Sequence, residues 1–533
     1  MSNRILTELE KKVVTKFFTI EDPSILETDA TRVYCRRDNL PMSIWPFLIG
    51  GYSRSVEPLA VRWLIAIQQA DASNYESNLE ALCDESNNVE LVSAIYGRVE
   101  RFLQTWALKY GHNSLKDSAL DCFAIENISQ RATKAVEDSA LAAYQEKSTR
   151  YMDFSSPVFY FAHTDTTLES LYARSMGLYA RANEHVRPIY EKQFAEIEFA
   201  SETARKNTIA AKCFDVSRYL LPVGIRTSLG ITCSTRETER LIQRMAEDPL
   251  HEVRHIAKLM QHHGSKINPG LLKHVEGNPY TIRRKRMTSE EMLMELGLSD
   301  SNCDALYETN LVHVNVDDTR RNLMLALSYM SSPLAANQIM HNLRLKSDIE
   351  ETTQLAFMLD TALANRGKFD ELPIEFKQGQ LVYEIVLDFG AFRDLQRHRV
   401  GTQIIHGFAP NIGWTTPEVI EDSPLLEEYN KLMGDYVEYA KSKGFDNSDY
   451  CMTMAHNVRY LYICDIRQLF YMVELRTKPD GHWSYRRVCQ KMASDFLEAF
   501  PEFKPYLRVN WSTISSRGES ENVTAVKLEQ VRK

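Results

Sequence analysis

Two short groups of charged and hydroxyl side chains carry the clearest chemistry in this sequence. The first is Arg397, His398 and Arg399, which are consecutive, with Arg393 one helical turn before them. A guanidinium presents paired donors that match phosphate oxygens, so this group favours binding of a diphosphate or a nucleotide. A surface network of ion pairs is the alternative, because arginine-rich triplets are also common on exposed helices.

The second group lies in the first half of the chain. Glu146, Ser148, Arg150 and Tyr151 bring a carboxylate, a hydroxyl, a guanidinium and a phenol close together in the sequence. A turn of this kind can hold a nucleotide phosphate through its serine and its arginine. The alternative is a purely structural turn, because serine and threonine side chains in turns usually bond their own backbone.

A third pattern has the form of a zinc signature. His251, Glu252 and His255 match H-E-x-x-H, which puts two imidazoles on one face of a helix with a glutamate between them. Arg254 would place a cation beside the metal, and short matches of this kind arise easily by chance. We therefore predict no metal site here and interpret the segment as a solvated or nucleotide-facing helix.

Length and composition limit the class of protein. The 533 residues predict two or more domains, and a content of 44% hydrophobic and 25% charged residues is typical of a folded globular chain. The net charge of -9 argues against a general nucleic-acid binder but allows a local anion site. We find neither a signal-peptide pattern nor a long uncharged apolar run, so we expect a cytoplasmic protein that does not span a membrane.

The nine cysteines are scattered, without a C-x-x-C pair or a regular spacing. This pattern predicts buried free thiols in a reducing compartment. The sequence also lacks G-x-G-x-x-G after a strand, the Walker pattern and G-x-S-x-G, which argues against ordinary Rossmann, P-loop and hydrolase sites.

The elements that must position these groups repeat along the chain. Apolar residues recur with helical spacing in four segments, and two strand-like runs precede the charged groups. Proline and glycine accumulate within 267–291, so we predict two sequence repeats, 1–275 and 276–533. The predicted helical segments are 58–70, 92–110, 203–220 and 320–330, and the predicted strands lie in 118–129 and 381–389.

The motifs around both groups resemble those of the flavin-dependent thymidylate synthases. In that family a G-H-x-S or G-H-x-T turn is followed by a strand, a helix ending in Arg-His-Arg, and a loop of the pattern E-x-S-x-R-Y. The first half has a similar turn at 111–114 and an intact loop at 146–151, but Asp138-Ser139-Ala140 replaces Arg-His-Arg. The second half keeps Arg397-His398-Arg399, and the segment 404–409 replaces the loop.

Further segments carry the same resemblance. Residues 217–222 are similar to the family turn A-R-x-x-L-P, and 251–254 fall where the family has a Q-W-E-I-R helix. Residues 465–469 and 474–476 resemble the carboxy-terminal N-x-R-S-L and L-R-x helix, with 481–486 after it. Asp394 stands where the family has a base-contacting glutamine, and Asp465 where it has an asparagine.

The resemblance implies an α+β fold made of two tandem units, each helix-rich with a small mixed or antiparallel sheet. The family assembles each active site from different subunits of a homotetramer. Pairing the first-half loop with the second-half Arg-His-Arg would restore one complete site, whereas the opposite pairing should be inactive. Because two fused units replace four single ones, we expect a homodimer with a pseudo-tetrameric arrangement.

The resemblance also implies residue roles and a reaction. The reaction is reductive C5 methylation of dUMP to dTMP, with methylenetetrahydrofolate as carbon donor, reduced FAD as hydride source and NADPH as reductant. The alternatives are a related flavoenzyme on another pyrimidine nucleotide such as UMP, a non-catalytic nucleotide-binding or scaffolding paralogue, and a zinc hydrolase. The implied nucleotide-binding residues are Glu146, Ser148, Arg150, Tyr151, Arg218 and Arg476, with Ser148 and Arg476 catalytic, and the implied flavin-binding residues are Arg397, His398, Arg399, His112 and Ser114.

Overall fold

The computed structural model of the chain describes residues 5–28, 30–52, 55–83, 113–161, 164–268, 271–272, 275–281, 309–407, 412–443 and 449–513. The chain folds as two compact units, and the second contains segments from both halves of the sequence. The first unit comprises Met1–Glu126, Ala135–Glu146 and Ser228–Leu296, and the second comprises Asn127–Lys134, Lys147–Thr227 and Gly297–Lys533. The compact units are therefore not the two sequence halves, and the repeat boundary at 275 and 276 stays a prediction.

Helices dominate the described residues, as the periodicity predicts. The predicted helical segments at 58–70, 203–220 and 320–330 are confirmed, and 92–110 lies outside the described residues. The helices are α1 Glu8–Phe17, α2 Trp45–Tyr52, α3 Leu59–Ala70, α4 Tyr75–Cys83, α5 Gln130–Val136, α6 Thr166–Gln193, α7 Glu202–Ser217, α8 Thr235–Ala246, α9 His251–Ile267, α10 Val316–Tyr329, α11 Ala336–Arg344, α12 Asp348–Leu363, α13 Phe389–Leu395, α14 Glu418–Glu421, α15 Leu426–Lys443, α16 Ile466–Arg476 and α17 Trp483–Ala499.

Two small sheets accompany these helices. One has three strands in the order β1-β3-β2, and the other has four strands in the order β4-β5-β7-β6. In the first sheet, β2 pairs antiparallel with β3. In the second sheet, β5 pairs antiparallel with β4 and with β7, and β7 pairs antiparallel with β6. The strands are β1 Leu120–Ser129, β2 Ala142–Glu146, β3 Arg226–Ser234, β4 Asn310–His313, β5 Leu381–Asp388, β6 Thr402–His406 and β7 Asn457–Cys464.

The order of elements repeats between the two halves. In the first half, β1 leads through α5 to β2, and the chain returns after α6 and α7 as β3 between them. In the second half, β5 leads through α13 to β6, and the chain returns after α14 and α15 as β7 between them. The tandem arrangement predicted from the sequence is confirmed. Asp138 and Arg397 both lie two residues after the short helix of their repeat.

Each unit has its own buried core. In the first unit, helices α1 to α4 bury a cluster that includes Val13, Phe18, Trp63 and Leu64. In the second, β5 alternates buried and less buried positions, as expected of a strand packed on one face. The rings of Phe470 and Phe496, from α16 and α17, meet there at 5.9 Å in an edge-to-face arrangement.

Polar side chains at three helix starts fix the elements that carry the charged groups. Asp388 accepts the Ala391 N–H at 2.7 Å at the start of α13, and Asp465 accepts the Gln468 N–H at 2.7 Å at the start of α16. His482 Nδ1 accepts the Ser484 N–H at 3.3 Å at the start of α17. Such caps satisfy backbone donors that a helix leaves unpaired at its first turn.

The eight described cysteines are all free thiols. The prediction that they are buried is correct for Cys213, Cys233, Cys451, Cys464 and Cys489 only. Cys35 and Cys122 are exposed, because Cys35 lies in an irregular segment and Cys122 on an outward-facing position of β1. Among the described helices, we find no stretch that is both long and apolar enough to cross a membrane.

Candidate active site

Residues 147–151 form a compact turn, and Asp215 of α7 bonds this turn through Arg150. Ser148 Oγ accepts the Arg150 N–H at 3.2 Å, which is the local turn bond expected of a serine. The Arg150 guanidinium donates to both carboxylate oxygens of Asp215, at 2.8 and 3.3 Å. Burial acts to lower the pKa of Arg150, but the charge of Asp215 outweighs it and raises the pKa well above its ordinary value.

Arg218 follows α7 directly and is almost completely buried, with 1% of its surface exposed. Its Nε and Nη2 atoms have no hydrogen-bond partner among the described residues. Buried guanidinium donors normally have partners, because leaving them unpaired costs free energy. Arg218 therefore has the donors and the positive charge that an anionic ligand requires.

A buried carboxylate lies beside this guanidinium. Asp388 accepts hydrogen bonds from Ser484 Oγ and from Tyr219 Oη, the latter at 3.2 Å. Burial raises the pKa of Asp388, although the positive charge of Arg218 opposes the shift. Gly390 leaves the space for this pair, since a Cβ there would lie 3.0 Å from Arg218 Nη2 and 3.1 Å from Asp388 Oδ1.

The Arg-His-Arg group follows α13 and its histidine points into the protein. Arg397 is exposed, Arg399 is half-buried, and His398 is buried with 4% of its surface exposed. Arg476 Nε, at the end of α16, donates to His398 Nε2 at 2.8 Å. Burial lowers the pKa of His398 to about 3, and the charges of Arg476 and Arg399 act in the same direction.

The hydrogen bond from Arg476 fixes the tautomer of this neutral imidazole. Since Nε2 accepts a hydrogen bond, the proton lies on Nδ1. His398 Nδ1 has no hydrogen-bond partner among the described residues. His398 therefore offers one unused N–H donor to a ligand.

A cleft of about 700 Å³ is lined by residues close to the Arg-His-Arg group, but not by Arg397, His398 or Arg399 themselves. Val400 and Tyr471 line it, and the Tyr471 ring lies 5.6 Å from the His398 ring in an edge-to-face arrangement. Lys368, Lys377 and Lys478 also line the cleft. Acidic side chains line it as well, namely Asp370, Glu371, Asp465 and Glu474, so the walls are mixed in charge and the cleft suits a large ligand with an aromatic part.

Asp394 lies on α13 between the two groups of arginines. Burial acts to raise its pKa, but the charges of Arg150, Arg218, Arg476 and Arg397 outweigh it and lower the pKa of Asp394 to about 2. Asp394 is therefore ionised at neutral pH. An ionised carboxylate accepts hydrogen bonds and cannot donate them.

The structure brings together most of the residues singled out in the sequence. Ser148, Arg150, Arg218, Arg476 and the Arg-His-Arg group all belong to the second compact unit. Tyr151 belongs to this unit too, with 60% of its surface exposed. Residues 147–151 of the first-half loop and the intact triplet from the second half thus lie in one folded unit.

Two of the predicted site residues lie in the first unit, and a third lies outside the described residues. Glu146 is the last residue of β2, in the first unit. Ser114 is exposed in a short 3-10 helix of the same unit. His112 lies outside the described residues. Their roles as ligands stay predictions.

The first-half equivalent of the Arg-His-Arg group has different chemistry. Ser139 Oγ donates to Glu237 Oε1 at 2.6 Å, and Asp138 lies 3.6 Å from Arg244. Glu237 also approaches Arg244, at 3.6 Å. These side chains bond one another and supply no arginine from the triplet positions. The inactivity of the opposite pairing stays a prediction.

The H-E-x-x-H residues lie on α9 of the first unit. The rings of His251 and His255 are stacked at 6.4 Å, and both side chains are exposed, while Glu252 is buried on the other side. Arg254 donates to the backbone oxygen of Asp248 at 2.8 Å. Among the described residues, no group of three or more histidine, cysteine or acidic side chains is arranged to hold a metal ion.

Sequence reasoning did not identify the partners that hold the site residues. Asp215, Asp388 and Thr149 carry no motif of their own. Asp215 pairs with Arg150, which is 65 residues away in the sequence, so no local spacing signals this contact. Asp388 and Thr149 act through contacts between segments distant in the sequence.

Comparisons with known proteins agree with the motifs. The family model described as "Thymidylate synthase complementing protein" matches residues 64–270 and 317–502. A UPF0159 protein of Chlamydia muridarum is 25% identical over 492 residues, which cover 88% of this chain and 90% of the relative. A flavin-dependent thymidylate synthase of Sulfurisphaera tokodaii is 25% identical over 203 residues, covering 36% of this chain and 71% of the relative.

Similarity to solved structures is weaker. The UMP/dUMP methylase PolB of Streptomyces cacaoi, bound with 5-Br dUMP, has 13% identity and a TM-score of 0.27, and the match covers 38% of this chain and 96% of that one. The family assignment rests on the sequence match, which spans most of the chain and falls once in each half. This chain belongs to the thymidylate synthase complementing protein family, as a tandem of two family segments.

Proposed function

We propose that this protein is a flavin-dependent enzyme that methylates dUMP at C5 to give dTMP, with one composite active site per chain. The observation that carries this proposal is the placement of loop residues 147–151, Arg218, the Arg-His-Arg group and Arg476 in one compact unit. Random loss of motifs would often damage both groups of one site. The retained residues instead complete a single site.

The nucleotide phosphate would bind at Arg218 and at the loop. Arg218 offers buried donors without partners, and Ser148 lies beside Arg150 on the turn. The bidentate bond to Asp215 holds Arg150 in one orientation before a ligand arrives. Such preorganisation reduces the conformational entropy lost on binding.

The residues around His398 fit a flavin. FAD would lie at the edge of the cleft that Val400 and Tyr471 line, where Arg397 and Arg399 would counter its diphosphate and the His398 Nδ1–H would donate to an acceptor. When bound in reduced form, the flavin supplies the hydride that the methylation requires. The protein contributes orientation and charge, and no covalent enzyme nucleophile is needed.

The base would lie near Asp394 and Arg476. Arg476 is a cation that can stabilise negative charge developing on the uracil, while its Nε holds His398 in one tautomer. Methylenetetrahydrofolate as carbon donor, NADPH as reductant and a homodimeric assembly complete the proposal, and all three follow from the family resemblance.

Asp394 supports a second candidate function, which is methylation of another pyrimidine nucleotide such as UMP. The family glutamine can both donate to and accept from a base, but the ionised Asp394 can only accept. This change alters the position that reads the base. Parallel assays with dUMP and UMP distinguish the two substrates.

The test is dTMP formation by purified protein supplied with FAD, NADPH, methylenetetrahydrofolate and dUMP. We expect turnover by the wild type, and its loss in Arg218→Met, which removes the buried donors while keeping an unbranched apolar stem. Arg254→Met in the first unit is the matched control and should retain full activity. Flavin binding without product from either nucleotide would contradict the proposed reaction.

A further inference from the structure

Arg393 is a buried cation whose role the proposed reaction leaves unassigned. It lies on α13, one helical turn before Arg397, with 7% of its surface exposed. Its Nη1 donates to Thr149 Oγ1 at 2.9 Å and lies 3.9 Å from Met454 Sδ. A guanidinium is costly to bury unless its donors have partners, and the Thr149 hydroxyl supplies one of them to Arg393.

Thr149 is the residue between Ser148 and Arg150, and it is buried with 2% of its surface exposed. Its hydroxyl therefore faces the protein, whereas the neighbouring residues Ser148 and Arg150 are each partly exposed. On one side of the turn, Arg150 is held by Asp215 of α7. On the other side, Thr149 is held by Arg393 of α13.

These two anchors join the loop to different helices. Asp215 lies on the helix that leads to Arg218, and Arg393 lies on the helix that leads to Arg397, His398 and Arg399. The Arg393–Thr149 bond thus connects a loop from the first half of the sequence directly to the helix before the Arg-His-Arg triplet. A charge-assisted bond of this kind is stronger than one between neutral groups and is directional.

We propose that Arg393 is a positioning residue that holds the 147–151 loop through Thr149 and thereby couples nucleotide binding at the loop to flavin binding at the Arg-His-Arg triplet. The coupling part of this inference rests on the proposed function. The positioning part rests on contacts alone. The positioning role is assigned through Nη1 of Arg393, which donates to Thr149 Oγ1 and lies near Met454 Sδ.

Thr149→Val and Thr149→Ser form a matched pair of variants for the test. Valine keeps the shape of threonine and removes the hydroxyl, whereas serine keeps the hydroxyl and removes a methyl group. Hydrogen–deuterium exchange of the peptide spanning 147–155 reports on the loop, whose Tyr151 and Met152 N–H groups donate to the Ser148 oxygen at 3.3 and 3.2 Å. Equilibrium titration gives the dUMP affinity with and without FAD.

We expect faster exchange and roughly tenfold to hundredfold weaker dUMP binding in Thr149→Val, with near wild-type behaviour in Thr149→Ser. The gain in dUMP affinity on adding FAD should also shrink in Thr149→Val. Arg393→Met should reproduce these effects, and the double variant should be no worse than either single one, because both remove the same bond.

The outcomes separate the two proposals. Equal loop exchange in Thr149→Val and Thr149→Ser overturns the positioning role, whether or not the protein binds a nucleotide. Faster exchange with unchanged dUMP affinity and unchanged coupling to FAD overturns the link to binding. A wild-type protein that binds neither FAD nor dUMP, with faster exchange in Thr149→Val, contradicts the proposed function while leaving the loop anchor in place.

Discussion

Arg476 Nε donates to His398 Nε2 at 2.8 Å, so an arginine proposed to contact the base also sets the protonation of the imidazole proposed to contact the flavin. The bond leaves the His398 proton on Nδ1, which has no partner among the described residues. One relationship between two side chains thus links the nucleotide and flavin parts of the candidate site. It also makes His398 a neutral donor across the physiological pH range.

The first prediction concerns the pH dependence of stability. The pKa of His398 is lowered to about 3 by burial and by Arg476 and Arg399, below the value of about 6.5 for an unfolded histidine. Below pH 6.5 the unfolded chain binds a proton that the folded chain does not. The contribution of His398 to the free energy of unfolding is therefore fully present above that pH and falls as the pH drops toward 3.

Between pH 7 and pH 5 this effect amounts to about 2 kcal/mol of unfolding free energy. Urea denaturation of the wild type and of His398→Gln at both pH values isolates it, because other histidines contribute equally to both proteins. The free energy of unfolding of the wild type minus that of His398→Gln should be about 2 kcal/mol smaller at pH 5 than at pH 7. A difference independent of pH would show that His398 is not a buried neutral group.

The second prediction concerns the Arg150–Asp215 pair. Both side chains are largely buried, so Asp215→Asn leaves the guanidinium without its counter-charge and should cost about 3 kcal/mol of unfolding free energy. The matched control is Asp435→Asn, which breaks the Arg174–Asp435 pair of the same unit. With 44% and 31% of these side chains exposed, we expect a cost of about 1 kcal/mol or less. Equal costs by chemical denaturation would contradict the anchoring of the loop.

The third prediction uses Gly390. In Gly390→Ala the new methyl group would lie 3.0 Å from Arg218 Nη2 and 3.3 Å from its Cζ, so the guanidinium must move. We expect roughly tenfold or more weaker dUMP binding with flavin affinity retained. Gly434→Ala on α15 is the control, since its Cβ would meet no atom within 4 Å. Unchanged dUMP affinity in Gly390→Ala would exclude Arg218 as the phosphate ligand.

The fourth prediction concerns Asp394. Its carboxylate is ionised among four arginines and would compete with the phosphate of a bound nucleotide for their positive charge. Asp394→Gln removes that charge and restores a group that can both donate and accept, so dUMP binding should become roughly tenfold tighter. Titration calorimetry with dUMP and with UMP measures the effect. Weaker binding of either nucleotide would instead identify Asp394 as a direct ligand of that base.

Local patterns predicted the elements and the two charged groups well. The helices at 58–70 and 320–330 and strand β5 follow from periodicity, because each buries one face and exposes the other. The Arg-His-Arg triplet and the E-x-S-x-R-Y loop are visible because their chemistry is concentrated in a few adjacent residues. The order of β1, α5 and β2 and of β5, α13 and β6 confirms the tandem prediction.

The tertiary partners could not be predicted in the same way. Asp388 has no motif, and its role depends on Tyr219 and Ser484, which are far from it in the sequence. The grouping of 147–227 with the second half arises from packing between distant segments. Burial decides the protonation of His398 and Asp394 together with neighbouring charges, and burial is a property of the folded chain.

The most direct test of a single composite site is the amount of FAD that the purified chain retains after excess flavin is removed, read from its absorbance spectrum. One variant carries both Arg397→Ala and Arg399→Ala. Asp138→Ala, at the equivalent position of the first repeat, is the control. We predict about one FAD per chain in the wild type and in Asp138→Ala, and loss of flavin in the arginine variant. Absence of flavin from the wild type, or its full retention when both arginines are removed, would contradict the account.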